Sequence, residues 1–139
     1  MADEKPLPEK PLPVINEESR PFWEGCKAGK LMLRHCADCG AWVYYPRALC
    51  PKCHGERLPW EEASGRGVIY AYTVCHRPAG PAFAEDVPYV VALIDLEEGA
   101  RMLSNIVTED PASVRIGQEV RVTFEARNEE VTLPLFAPA

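Results

Sequence analysis

The second half of this sequence is short of positive charge. From Ser64 to Ala139 there are six arginines and no lysine against eleven aspartates and glutamates, and the whole chain has a net charge of −6. Proteins that bind a phosphate backbone usually rely on lysine and arginine side chains that displace counterions. The composition therefore argues against a nucleic-acid-binding protein.

Long apolar runs are missing too. No stretch of the chain approaches the roughly 20 apolar residues of a membrane-spanning helix, and no charged-then-apolar leader follows Met1. We therefore expect neither a membrane span nor a secretory signal. A reducing cytoplasm suits the six cysteines, because free or metal-bound thiols are at risk of oxidation outside it.

The sequence contains none of the common catalytic signatures. There is no Gly-x-Ser-x-Gly elbow, no phosphate-binding Gly-x-x-x-x-Gly-Lys loop and no His-x-x-x-His pair. Cys75 and His76 are neighbours, so on a strand their side chains point to opposite faces and do not form a nucleophile–base pair. We expect a binding or scaffolding protein without catalytic residues of its own.

Two Cys-x-x-Cys hooks dominate the first half of the chain. Cys36 and Cys39 form the first hook, Cys50 and Cys53 form the second, and ten residues separate the two hooks. Four thiolates in this pattern can surround Zn²⁺ tetrahedrally. Because four cysteines fill the coordination sphere, the predicted zinc is structural and not a catalytic Lewis acid.

The residues beside the hooks refine this prediction. Gly40 and Gly55 are permissive residues that allow backbone N–H groups to turn towards the sulfurs. His35 and His54 adjoin hook cysteines, but with four thiolates present we do not expect either to bind the metal. Iron is the alternative metal, because thiolates accept both, and zinc is preferred since nothing else in the chain indicates electron transfer.

The chain divides into three predicted parts. Residues 1–18 are expected to form a proline-rich flexible tail, residues 19–62 a short helix and the metal ribbon, and residues 63–139 a β domain. In the helix, Ser19 is the expected cap, Phe22 and Cys26 share one face, and Gly29 ends it.

The β domain has the element order of an OB-fold barrel. Five predicted strands follow one another, with a short helical turn at Asp110–Val114 between the third and the fourth. A small β-sandwich is the alternative. The irregular stretch Arg77–Pro88 joins the first two strands, where OB-folds often place a binding loop. We therefore predict a mainly β chain with a short N-terminal helix, a rubredoxin-like zinc ribbon and a C-terminal five-stranded OB-fold barrel.

These features together resemble a known family of small proteins in which a rubredoxin-like zinc ribbon precedes an OB-fold. The family was long catalogued as a domain of unknown function, and its members occur beside thiolases and other acyl-CoA enzymes. The resemblance covers nearly everything after Glu18. It is carried by the following segments: Pro21–Gly25, Leu31–Cys36, Cys39–Gly40, Tyr45–Arg47, Cys50–Cys53, Ser64–Gly67, Tyr70–Thr73, Pro88–Leu93 and Thr132–Pro134.

The resemblance implies a non-catalytic accessory subunit of an acyl-CoA enzyme complex. The expected partner is a thiolase-type enzyme that cleaves or forms a β-keto acyl-CoA, or a hydratase-type enzyme, and CoA or an acyl-CoA could bind at the interface. Five cations that lie around the helix, the ribbon and the following turn are candidates for binding CoA phosphates: Lys27, Lys30, Arg34, Arg47 and Arg66.

A single-stranded nucleic-acid-binding module is the alternative function, because zinc ribbons and OB-folds both serve that role. In that case Tyr70, Tyr72 and Phe124 would stack on bases. The acidic charge balance opposes this alternative.

Overall fold

A computed structural model describes residues 9–139 of the chain and confirms the predicted fold class. One short helix leads into a small three-stranded sheet, and a closed five-stranded barrel follows. Residues 1–8 of the predicted tail lie outside the described residues.

The helix and the small sheet form the ribbon. Helix α1 spans Arg20–Lys27, and strands β1 (Met32–His35), β2 (Trp42–Val43) and β3 (Trp60–Glu62) form an antiparallel sheet in the order β2-β1-β3. Pro21 occupies the first turn of α1, and Gly29, with φ of 78°, follows its end.

The start of α1 differs from the prediction in one respect. Ser19 stands at the N-cap position, but its side chain makes no capping hydrogen bond to the helix. Instead the Asn16 N–H donates to Ser19 Oγ at 3.2 Å, and the Ser19 N–H donates to Asn16 Oδ1 at 2.9 Å. The serine hydroxyl therefore closes a turn with Asn16 before the helix.

The barrel consists of five strands in the order β4-β5-β6-β8-β7. They are β4 (Arg66–Cys75), β5 (Tyr89–Leu96), β6 (Arg101–Ile106), β7 (Glu119–Ala126) and β8 (Thr132–Pro138). A 3-10 turn at Pro111–Ser113 lies between β6 and β7, which is the position predicted for the helical turn. The closed order is that of an OB-fold, so the β-sandwich alternative is wrong.

The interior of the barrel follows the alternation of apolar residues in the sequence. On β5, Val90, Ala92, Ile94 and Leu96 are buried, while the residues between them are partly exposed. These side chains meet Phe136 and other residues from the remaining strands in one core. Successive side chains of a strand point to opposite faces of the sheet, so in a barrel every second side chain lies in the interior and the others lie on the outer surface.

The aromatic face of α1 joins the same core. Phe22, Trp23 and Cys26 are buried together with barrel residues, and α1 contacts β7 and β8 as well as β1. Around the metal hooks, in contrast, the buried cluster consists of only Cys36, Val43, Cys50 and Leu58. The ribbon is therefore attached to the barrel through α1 and β1, while the hook region has little apolar core of its own.

Within residues 9–139, no helix combines the length and the apolar character that a membrane span requires.

Candidate metal centre

The two hooks have the same backbone geometry. In the first hook the Gly40 N–H donates to the Cys36 carbonyl oxygen at 2.9 Å, and in the second the His54 N–H donates to the Cys50 carbonyl oxygen at 2.8 Å. Each donor lies four residues after the first cysteine of its hook and has a positive φ, 79° at Gly40 and 63° at His54. The left-handed residue after the second hook is therefore His54. The Gly55 N–H donates to Cys53 Sγ at 3.4 Å, in agreement with the expectation that this glycine lets a backbone N–H turn towards a sulfur.

Gly55 is required for a different reason. A Cβ atom at Gly55 would lie 2.6 Å from Asp38 Oδ2 and 3.2 Å from Cys53 Sγ. Asp38 belongs to the first hook, and it forms an ion pair with Arg57 just after the second. Gly55 thus allows the two hooks to approach each other closely.

The four hook sulfurs converge on one point. The Sγ atoms of Cys36, Cys39, Cys50 and Cys53 all lie within 4.8 Å of one another. Two of the distances, Cys36 to Cys53 and Cys39 to Cys50, are 3.6 Å. In a tetrahedral site with Zn–S bonds of about 2.3 Å, the sulfurs stand about 3.8 Å apart. The donor set therefore fits zinc, and bound zinc would supply a rigid link between the hooks.

The ionisation of the four thiols also favours a cation. The Cys39 N–H lowers the pKa of the Cys36 thiol, and the Cys53 N–H lowers the pKa of Cys50 to about 7. At Cys53 the Gly55 N–H favours the thiolate, but the neighbouring sulfurs, Cys36 first, outweigh it and raise the pKa to about 12. Four adjacent thiolates repel one another, so a divalent cation is needed to hold all of them ionised.

The two histidines beside the hooks lie outside the sulfur cluster. The His35 ring stacks on Trp42 with centroids 4.3 Å apart, and its ring nitrogens bond to Glu61 and to the Gly40 carbonyl oxygen. The described metal-ligand cluster contains the four cysteines and neither histidine.

Arg34, one of the five candidate CoA-binding cations, has structural contacts within the ribbon. Its Nε donates to the Leu58 carbonyl oxygen at 2.7 Å, and its Nη1 donates to the Arg47 carbonyl oxygen at 3.2 Å. The guanidinium also lies over the Trp60 ring, 5.0 Å from the centroid. Arg34 thus connects β1 to the segments on both sides of the second hook, a role that the sequence pattern did not indicate.

The other four candidate cations are exposed. Lys27 and Lys30 lie at the end of α1 and just after it, and Arg47 lies before the second hook. Arg66 begins β4, where its Nε is 3.2 Å from Glu97 Oε2. Of the five candidates, Arg34 and Arg47 are therefore in contact, through the hydrogen bond from the Arg34 side chain to the Arg47 carbonyl oxygen. Arg66 is instead paired with the carboxylate of Glu97.

The two cysteines outside the hooks differ in exposure. Cys26 is buried in the α1 face, and burial raises its pKa to about 12, which makes it a poor nucleophile. Cys75 ends β4 and is partly exposed.

Of the aromatic residues considered for base stacking, Tyr70 has its ring covered by the Arg101 guanidinium at 3.5 Å from the centroid. Arg101 is in turn paired with Asp95 at 2.6 Å.

Comparison with family models finds two domains in the order seen in the structure, with the boundary between the models just before β3 of the ribbon sheet. Residues 23–59 match the model described as "ChsH2, rubredoxin-like zinc ribbon domain", and residues 60–125 match "ChsH2, C-terminal OB-fold domain". The two models together cover most of the chain, and they name the ribbon and the barrel seen in the structure.

Two curated relatives illustrate the range of similar proteins. A probable enoyl-CoA hydratase alpha subunit of Thermomonospora curvata is 37% identical over 137 residues, which is 99% of this chain and 42% of the relative. A DUF35 domain-containing scaffold protein of Methanothermobacter thermautotrophicus is 42% identical over 96 residues, which is 68% of this chain and 71% of the relative. The chain thus spans less than half of the hydratase subunit and most of the scaffold protein.

A solved structure resembles the whole architecture. A chain of the Ltp2-ChsH2(DUF35) aldolase superposes with a TM-score of 0.80 at 37% sequence identity, covering 91% of this chain and 98% of that one. The predicted resemblance is confirmed by these matches. The chain therefore belongs to the ChsH2-type DUF35 family, in which a rubredoxin-like zinc ribbon is joined to an OB-fold barrel.

Proposed function

We propose that this chain is a non-catalytic accessory subunit that assembles with an enzyme acting on an acyl-CoA thioester. In this proposal Cys36, Cys39, Cys50 and Cys53 bind one structural zinc ion, which keeps the ribbon rigid enough to form part of a protein interface. The observation that carries the proposal is the similarity, along nearly the full length, to the DUF35 chain of an aldolase.

The chemistry of the described residues supports the accessory role. Among the described cysteines, four cluster at the metal centre and Cys26 is buried, which leaves Cys75 as the remaining thiol. His76 follows Cys75 directly in the chain, and His35 is engaged by Glu61. Nucleophilic catalysis needs a nucleophile and a base that face each other. The partner enzyme would therefore supply the catalytic groups.

The names of the relatives bear on which reaction the partner enzyme catalyses. One relative is called an enoyl-CoA hydratase subunit, and the solved structure is called an aldolase. Our finer proposal is a thiolase-type partner that cleaves or forms a carbon–carbon bond in a β-keto acyl-CoA. A hydratase-type partner is the alternative, because the hydratase subunit is the relative that matches 99% of this chain.

Reconstitution with the partner tests this proposal. The chain is co-expressed with candidate acyl-CoA enzymes, and the purified complex is assayed for thiolase, aldolase and hydratase products. We expect one enzyme to co-purify and to lose most of its activity without this chain. Thioester turnover by this chain alone would contradict the accessory role, and full activity of the isolated partner would contradict the need for it.

We further propose that the exposed cations near the ribbon contact the phosphates of CoA in the complex. The candidates that are free of structural roles in the ribbon are Lys27, Lys30 and Arg47, and Arg66 is a candidate if it exchanges Glu97 for a phosphate. Arg34 is the weakest member of the set, because its guanidinium already bonds to two carbonyl oxygens. Arginine and lysine bind phosphate through charge-assisted hydrogen bonds.

Glutamine variants of Lys27, Lys30, Arg47 and Arg66 test this proposal in the assembled complex. Loss of a phosphate contact raises the KM for the acyl-CoA by about tenfold, while the KM for a pantetheine thioester without the nucleotide stays unchanged. Arg115→Gln, at an exposed position in the β6–β7 connection, is the matched control. Equal KM values for all variants and the control would refute the phosphate role.

A further inference from the structure

The segment that leaves the second hook runs beside the first hook. Strands β1 and β3 are antiparallel neighbours, and their pairing continues towards the hooks. The His35 N–H donates to the Pro59 carbonyl oxygen at 2.9 Å. The Ala37 N–H, inside the first hook, donates to the Arg57 carbonyl oxygen at 2.9 Å as well. Backbone hydrogen bonds therefore connect the two hook segments as far as the metal centre.

A pair of charged side chains joins the same two segments. The Arg57 guanidinium forms an ion pair with the carboxylate of Asp38, which lies between the two cysteines of the first hook. Arg57 thus contacts the first hook twice, through its carbonyl oxygen and through its side chain. We call Asp38 and Arg57 the hook clasp, because they link the inside of one hook to the segment that leaves the other.

The hook clasp lies at the exposed edge of the metal centre. Among the four hook cysteines, Cys39 and Cys53 are exposed and the other two are buried. Asp38 directly precedes Cys39, and its carboxylate and the Cys53 sulfur are the groups that a Cβ atom at position 55 would meet. A chelator or a competing thiol reaches a zinc ion most easily from this edge, so contacts here bear on how fast the ion leaves.

The hook region has few apolar contacts that could hold the hooks together instead. Its buried cluster has four members, and two of them, Cys36 and Cys50, are themselves metal ligands. When a Zn–S bond opens, it re-forms quickly only while the free thiolate stays near the ion, because the effective concentration of a tethered group falls with the distance it can move. Polar contacts between the hooks therefore affect the rate of zinc release.

We propose that Asp38 and Arg57 are positioning residues of the metal centre, and that their ion pair slows the release of zinc by keeping the two hooks together. This inference rests on the zinc ion of the proposed function and is independent of the partner enzyme. The hook clasp acts in the isolated chain, so its effect is measured without a partner.

A simple effect of charge is the alternative, and it predicts a different pattern. Four thiolates around Zn²⁺ form a dianionic centre, which a nearby cation stabilises and a nearby carboxylate destabilises. Hydrogen bonding to Asp38 raises the pKa of Arg57, and the Cys36 thiolate adds to this shift, so the guanidinium lies within electrostatic reach of a metal ligand. By charge alone, loss of Arg57 speeds zinc release and loss of Asp38 slows it. Loss of either member of a clasp speeds it.

Zinc transfer to an excess of a colorimetric chelator separates these two patterns. We expect Asp38→Asn and Arg57→Gln each to raise the first-order rate of zinc release about two- to fivefold, a range typical of an ion pair whose side chains are 34% and 74% exposed. The double variant should release zinc no faster than the faster single variant, because both substitutions remove the same contact. At about 1 M salt the four rates should converge, since screening weakens an exposed ion pair.

Two further variants separate the contact from the charge. Arg57→Lys should release zinc at nearly the wild-type rate, because lysine keeps the charge that pairs with Asp38. Lys52→Gln is the matched control. Lys52 is exposed within the second hook, so its substitution removes a cation beside the metal ligands and leaves the hook clasp intact.

Two results would overturn the proposal and leave the zinc site itself intact. One is slower zinc release in Asp38→Asn than in the wild type, which is the pattern of charge alone. The other is an equal rate in Arg57→Gln and Lys52→Gln, which would show that any cation beside the hooks has the same effect. A wild-type chain that holds no zinc by elemental analysis would instead contradict both the hook clasp and the proposed metal centre.

Discussion

Single residues decide how closely the two hooks approach each other. His54 and Gly40 occupy equivalent positions, but only glycine adopts a left-handed conformation without a steric cost. Next to His54, Gly55 lies so close to the side chains of Asp38 and Cys53 that an added Cβ would displace them. Both positions after the second hook therefore favour glycine, although only position 55 has it, and two substitutions test this.

The first prediction concerns His54→Gly. Because glycine tolerates a φ of 63°, we expect the substitution to increase the free energy of unfolding by up to about 1 kcal/mol, despite the greater freedom of glycine in the unfolded chain. Thermal unfolding of the zinc-loaded protein measures this. His76→Gly is the control, since His76 has no positive φ, and it should be neutral or slightly destabilising. A clear loss of stability in His54→Gly would mean that the imidazole makes a contact worth more than the backbone strain.

The second prediction concerns Gly55→Ala. The added Cβ would press against Asp38 Oδ2 and Cys53 Sγ, so the Asp38 carboxylate must turn away and the Cys53 sulfur must shift slightly, and we expect a loss of about 1 kcal/mol. Zinc transfer to a colorimetric chelator should become faster than in the wild type. Gly80→Ala is the control, because nothing lies within 4 Å of a Cβ at Gly80 and its φ is −173°. Equal zinc-release rates in the two variants would contradict the crowding at Gly55.

At the scale of elements, α1 connects the ribbon to the barrel. Phe22 is 1% exposed, and its ring contacts those of Trp23 and Tyr45, with centroid distances of 4.9 Å and 5.7 Å. The Trp23 Nε1–H also donates to the Tyr45 hydroxyl at 3.1 Å. An isolated helix of eight residues is marginal, so these contacts stabilise it.

The third prediction concerns Phe22→Ala. Removing this buried ring leaves a cavity in the core that α1 shares with the barrel, and we expect a loss of about 3–5 kcal/mol in the free energy of unfolding. Hydrogen exchange should accelerate in α1 and in β8, which α1 contacts. Glu24→Ala, on the exposed side of the same helix, serves as the control and should change neither. Unchanged exchange in β8 would show that α1 does not stabilise the barrel.

At the scale of the whole molecule, the metal and the apolar core stabilise different parts. The hook region has a buried cluster of four residues, whereas α1, β1 and the barrel share a much larger core. A cluster of four residues is too small to stabilise a fold by burial alone. The division into residues 1–18, 19–62 and 63–139 stays a prediction, because the shared core links the second part to the third.

The fourth prediction concerns removal of the metal. We expect Cys50→Ser, or treatment with a strong chelator, to lower the Tm by more than about 10 °C and to remove amide protection in residues 32–62. The barrel strands should keep part of their protection, because their core does not include the hook cysteines. Cys75→Ser is the control and should retain one zinc ion per chain by elemental analysis. Full protection of the ribbon without metal would contradict a structural role for zinc.

Much of the fold and the metal centre was predictable because its signals are local. The hook spacing indicated four converging thiols, and the alternation along β5 indicated one buried face. The roles of Arg34 and Lys10 were not predictable in this way. Arg34 bonds to Leu58, 24 residues away, and Lys10 pairs with Asp86, which lies far along the chain in the β4–β5 loop.

The sequence by itself determined the zinc-ribbon motif, the strands and the acidic surface, because spacing, periodicity and composition act over a few residues. The tertiary structure alone decided that α1 packs on the barrel, that His54 takes the left-handed position, and that Arg34 connects β1 to the second hook. These outcomes depend on which distant elements come into contact, and contact between distant elements is set by the packing of the whole chain.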